Sequence, residues 1–123
     1  MWIEYSNNPC ARHVGDCAVR AIALALGVDW EDAYIMLADA GLAMCDLPNS
    51  NATIDAVLRM NGFYKEMLPA TRHDTYTAED FCRDNPIGVY VLGFGTHVTT
   101  VIDGDIYDIW DCSKEIPQYF WVR

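Results

Sequence analysis

Cys17 opens the run Cys-Ala-Val-Arg-Ala-Ile-Ala-Leu-Ala-Leu, preceded by Asp16 and closed by Gly27. Asp is a good N-cap and Gly a good stop, so residues 16–27 are predicted to be a helix with Cys17 at its first position. A helix start presents unpaired N–H groups and a partial positive charge. Both favour thiolate over thiol and lower the cysteine pKa. The same amides can hold the oxyanion of a tetrahedral intermediate. Three histidines could serve such a nucleophile as base. His13 lies in the loop containing Asn7, Asn8, Pro9 and Gly15, and His73 in the polar run Thr71-Arg-His-Asp-Thr. His97 begins the apolar run His-Val-Thr-Thr-Val-Ile, directly after Gly95-Thr96. A strand fixes an imidazole better than a loop does, and glycine there lets a substrate backbone approach closely. His97 is therefore the expected base. Without chemistry, Cys17 is a small apolar side chain filling space and His97 a half-buried strand histidine.

A third group should orient the imidazole and fix its tautomer. Asp108 and Asp111 are both within reach, and the hairpin register decides between them. A two-residue turn at Asp103-Gly104 pairs position 97 with 110 and puts Asp108 diagonally on the face of His97. A three-residue loop, Asp103-Gly-Asp105, pairs 97 with 111. Both loop lengths are common, and periodicity leaves the choice open.

These groups must be positioned by the surrounding elements. The 16–27 run is apolar on almost every side except for Arg20, which predicts a central helix. Further helices are predicted from Trp30 to Ala40, stopped by Gly41, and from Ser50 or Asn51 to Met60, closed by Asn61-Gly62. A short one follows the capping box Thr77…Asp80 and ends before Pro86. Residues 2–5 and 63–68 read as extended. The last third, residues 89–94, 97–102, 105–110 and 119–122, is rich in β-branched and aromatic residues, with Asp103-Gly104 a hairpin signal. Helices first and antiparallel strands after predict one α+β domain over residues 1–123, with the helices on one side of a C-terminal antiparallel sheet.

Composition narrows the partners. The 123 residues carry a net charge of −10, which disfavours phosphate backbones and favours a basic protein. Five cysteines is an odd number, and none has CxxC spacing. Cys10, His13 and Cys17 match no usual zinc template, so neither metal nor other cofactor is expected. Cys45, Cys82 and Cys112 are expected to be structural. No apolar run is long enough to span a bilayer, and residues 1–9 lack a basic region followed by an apolar stretch. The cytoplasm is the expected compartment, with no membrane or nucleic-acid partner.

Gly15-Asp-Cys-Ala-Val-Arg-Ala followed by His97-Val-Thr-Thr-Val-Ile resembles the papain-like cysteine peptidases. Nearly the whole chain is also similar to small bacteriophage and prophage proteins, through these segments, Asp46-Leu-Pro-Asn-Ser-Asn, and His97 through Asp111. The papain-like pattern implies a cysteine at a central helix start, a histidine on a strand, and Asn or Asp on the next strand. Laid on that pattern, Asp111 in Ile109-Trp-Asp-Cys-Ser matches the third member and is preferred to Asp108. The chain departs at Ala11, where papain-like enzymes carry a glutamine that completes the oxyanion hole. Asn8 is the nearest side-chain amide that could replace it, although it also suits the Asn-Asn-Pro turn. The resemblance implies a cysteine hydrolase of peptidase, isopeptidase or deamidase type, with Cys17, His97 and Asp111 as triad. Asn8, Asp16 and Gly95 are expected to line its substrate site, and a protein or peptide, including a host protein, is the expected partner. The alternative is a non-catalytic acidic module that occupies a basic surface on a host protein.

Overall fold

The computed structural model describes residues 1–69 and 75–123. His73 lies outside the described residues. The apolar runs of the last third fold into β3 (Val89–Gly93), β4 (Val98–Ile102), β5 (Asp105–Asp108) and β6 (Tyr119–Val122), the first three shorter than the runs predicted. His97 falls one residue before β4, at the end of the β3–β4 connection that turns at Gly95, rather than on the strand itself. They pair antiparallel, β4 with β5 and with β3, and β3 with β6. Ile102 pairs with Asp105, which leaves Asp103-Gly104 as a two-residue turn. Both turn residues have positive φ, 49° and 80°, the requirement of a type I′ hairpin turn.

Two earlier segments complete the sheet. β1 (Trp2–Glu4) adds to β5 and β2 (Tyr64–Met67) adds to β6, giving the order β1-β5-β4-β3-β6-β2. Because β1 runs parallel to β5, the sheet is mixed rather than purely antiparallel. The expectation failed because three or four extended residues carry no signal of their pairing direction.

The helices are α1 (Cys17–Leu26), α2 (Trp30–Met44), α3 (Asn51–Met60) and α4 (Ala78–Asp84). Gly27 closes α1 in the left-handed region, Ser50 Oγ caps α3 by accepting from the Thr53 amide, and the Thr77–Asp80 capping box of α4 is complete. α2 does not stop at Gly41. It runs on to Met44 and ends at Cys45 in the left-handed region. A Cβ at Gly41 would stand 3.0 Å from the Asp46 carbonyl oxygen and 3.1 Å from the Pro48 nitrogen. Gly41 therefore admits the returning 46–48 backbone, and that segment reaches the start of α3.

Strand alternation splits the core. Ile22, Leu37 and Val57 of the first three helices pack with Val91, Val98 and Trp121. Phe81 and Cys82 of α4 pack on the opposite face with Leu92, Val101 and Ile106. The helices thus cover both faces rather than one. The alanines of α1 let its backbone approach the sheet, where Thr100 Oγ1 donates to the Ala21 carbonyl at 2.7 Å. No helix among the described residues is long and apolar enough to cross a membrane.

Candidate functional site

Cys17 is the first residue of α1 and is half-buried. The Asp16 side chain makes no capping hydrogen bond to the α1 amides. It turns instead into the protein, where Oδ1 accepts from Arg20 Nε at 2.8 Å and Oδ2 from Trp30 Nε1 at 3.0 Å and Asn8 Nδ2 at 3.2 Å. Arg20 then reaches across to β5, its Nη1 donating to Asp108 Oδ1 at 2.8 Å. The second oxygen of Asp108 lies 2.6 Å from His97 Nε2. The Cys17 thiol interacts with the same imidazole. The result is a chain of alternating charge, Asp16, Arg20, Asp108, His97, Cys17, that starts and finishes at adjacent residues.

Electrostatics follow from this chain. Burial pushes the Cys17 thiol up, but the His97 side chain, the Val98 backbone and the Arg20 charge together outweigh it and bring the pKa below the ordinary thiol value. Burial pushes His97 down, and its bonds to Asp108, Cys112 and Cys17 overcome that, holding the imidazole protonated well above its usual range. Burial pushes Asp108 up, and His97 and Arg20 reverse the effect and keep it ionised. The two shifts favour the same paired charged forms, imidazolium and thiolate. Asp16 is likewise held ionised: burial raises it, and Arg20, Trp30 and Asn8 lower it further than burial lifts it.

The third position is occupied by Asp108, not Asp111. Asp108 is 1% exposed, whereas Asp111 is exposed and accepts from the Ser113 amide. The two-residue turn sets Thr100 against Tyr107, the register in which Asp108 shares the face of His97. Asn8 also differs from expectation. Its Oδ1 accepts from the Cys10 amide and its Nδ2 donates to Asp16, so it shapes the loop and anchors Asp16 rather than facing the thiol. Asp16 is a buried ion-pair residue that also lines a depression bounded by Trp30, Tyr34 and Asn49. Ala11 is exposed with φ 53° and supplies no side-chain donor. Gly95 stands where expected, at the cavity beside His97.

Cys17 and His97 open onto a cavity of about 170 Å³, lined also by Asn49, Asn51, Gly95 and Thr96. Asn51 Nδ2 donates to the Gly95 carbonyl at 3.2 Å, tying α3 to the loop before β4. Asn49 and Asn51 were missed as site residues. The signal was present at the end of Asp46-Leu-Pro-Asn-Ser-Asn, where asparagines flank the capping Ser50 on both sides. Beyond His97 a second hollow of about 370 Å³ is lined by Phe94, Trp110, Glu115 and Ile116. The Trp110 ring lies 5.1 Å from the imidazole.

Cys112 also reaches this corner. Its thiol lies 3.6 Å from Asp108 Oδ2, and His97, Asp108 and Cys112 offer ligand atoms within 4.8 Å of one another. The donor set suits a hydrogen-bond network better than a cation. Asp108 is already bonded by Arg20, His97 and the Ile109 amide, and burial pushes the Cys112 thiol up, away from the thiolate a metal needs. Comparison with protein-family models, with curated proteins and with solved structures returns no match.

Proposed function

We propose that the protein is a papain-like cysteine hydrolase acting on an amide bond of a protein or peptide. The observation that carries this reading is a thiol at a helix start sharing an imidazole with a buried carboxylate, at the wall of an open cavity. The Cys17 thiolate attacks the carbonyl carbon, and the oxyanion is held by the first amides of α1 and by Asn49. His97 gives its proton to the leaving amine as the carbon–nitrogen bond breaks, leaving a thioester. It then takes a proton from water, whose oxygen attacks the thioester, and the acid product leaves as the carbon–sulfur bond breaks, restoring the imidazolium and the Cys17 thiolate. Asp108 holds the imidazole through Nε2, and Arg20 holds Asp108. Peptide, isopeptide and glutamine side-chain amides all suit this sequence of steps.

A peptidyl electrophile with mass-spectrometric mapping tests the reading. The expected adduct is on Cys17, is abolished in Cys17→Ser, and is strongly reduced in His97→Ala. Labelling of Cys10 or Cys45 in its place overturns the assignment. The acidic composition favours a second reading, a non-catalytic binding module, whose phenotype would survive Cys17→Ser.

A further inference from the structure

Residues 21–58 contain six acids, Asp29, Glu31, Asp32, Asp39, Asp46 and Asp55, and no lysine or arginine. Helix α2 carries the middle of this stretch on its outer side. Glu31, Ile35, Asp39 and Leu42 follow one another at spacings of four, four and three, which places them on one helix face. Ile35 is 56% and Leu42 80% exposed, while Ala33 and Leu37 of the inner side are buried. An isolated exposed leucine needs no explanation. Here large apolar side chains alternate with acids along one stripe. At its N-terminal end the Trp30 and Tyr34 rings lie 5.4 Å apart, and depressions of about 320 and 400 Å³ flank them. Asn49 lines both the first depression and the Cys17 cavity, so the stripe leads to the nucleophile.

We infer that this α2 face docks a cationic segment of the polypeptide substrate, one that carries bulky apolar side chains. The inference rests on the hydrolase reading for the word substrate, and on the surface alone for the docking. Apolar anchors fill the depressions beside Trp30 and Tyr34, and lysines or arginines meet the intervening acids. Charge argues against the other occupants. A second copy of a chain with net charge −10, a nucleic acid and an anionic membrane would each bring like charge to the stripe.

Binding of short fluorescein-labelled peptides to the full chain carrying Cys17→Ser, read by fluorescence anisotropy, tests this without using catalysis. A Lys–Leu amphipathic peptide is expected to bind at least about tenfold more tightly than its Lys–Ser and Glu–Leu counterparts, with affinity falling as salt rises. Ile35→Ser with Leu42→Ser should weaken binding about tenfold, whereas Tyr64→Ser, on a distant exposed site, should leave it unchanged; circular dichroism verifies that each variant is folded. Equal binding of the Lys–Ser peptide, or indifference to the double substitution, overturns the proposal. So does a dimer in sedimentation velocity that the double substitution dissociates, which would assign the face to a second copy. Because the protein tested lacks the nucleophile, failure here leaves the hydrolase reading standing, and failure of Cys17 to label leaves this surface standing.

Discussion

Two thiols approach the same imidazole from opposite regions of the molecule, and their chemistry diverges. Cys17 sits at the start of α1, half-buried against an open cavity, with Arg20 close enough to favour its charge. Cys112 is completely buried with the α4 cluster, and burial dominates its ionisation. One thiol is shifted toward its charged form and the other away from it, as a donor to Asp108. Nearness to histidine does not make a nucleophile. A helix start and a compensating cation are what shift a thiol toward its charged form.

The sharpest way to break this comparison is to replace each sulfur by oxygen. Cys17→Ser is expected to lower amide hydrolysis on the order of ten-thousand-fold or more. Cys112→Ser should leave turnover within about threefold and cost about 1 kcal/mol of stability. Comparable activity losses would mean that both regions are chemical. Next in size is Arg20, which serves the Cys17 side through Asp16 and the Cys112 side through Asp108. Arg20→Ala strands two buried carboxylates and should destabilise the fold by about 3–5 kcal/mol in urea unfolding.

Replacing the acids separates orientation from mere proximity. Asp108→Asn is expected to reduce kcat about a hundredfold or more by losing the charge that holds the imidazolium, while Asp111→Asn leaves it unchanged. A larger loss at Asp111 would restore the register that the hairpin contradicts. The smallest effect is in pH. Cys17 alkylation should rise through a midpoint below the ordinary thiol value, and His97→Ala should move it upward. Stability follows the same groups. The raised His97 pKa contributes stability that is complete below the unfolded value of about 6.5 and is lost as pH climbs through the folded value. The depressed Asp108 pKa contributes stability present above about 3.9 and lost as pH falls through its folded value. Urea midpoints across pH should therefore be highest between these limits, and His97→Ala should flatten the alkaline limb.

Much of the site was legible in the sequence because its determinants are local. The helix start at Cys17, the Gly27 stop and the Thr77 capping box depend on neighbouring residues, and each formed as expected. The type I′ turn at Asp103-Gly104 was equally visible, yet family resemblance favoured Asp111 over the acid that this turn selects. Asn8 and Asp16 were legible as loop and helix-start residues but not as partners, because their bonds depend on where Arg20 and Trp30 arrive. Gly41 looked like a stop and proved to be a crossing point, since what excludes a side chain there is backbone five to seven residues further on. The pairing of β1 with β5 joins segments far apart in the chain, Trp2 with Ile106, and left no local trace. Asn49 and Asn51 came to the cavity by the same kind of distant return.

The alternating chain from Asp16 to Cys17 has a consequence for how such a sequence can change over time. Each interior member neutralises two neighbours, so a lone replacement leaves an unbalanced charge in the interior on both sides. Asp16, Arg20 and Asp108 should therefore behave as one inherited unit, tolerated together or exchanged together. Swapping Arg20 and Asp108 for uncharged partners in a single step should be less harmful than either change alone, and a double-mutant cycle would read that epistasis directly.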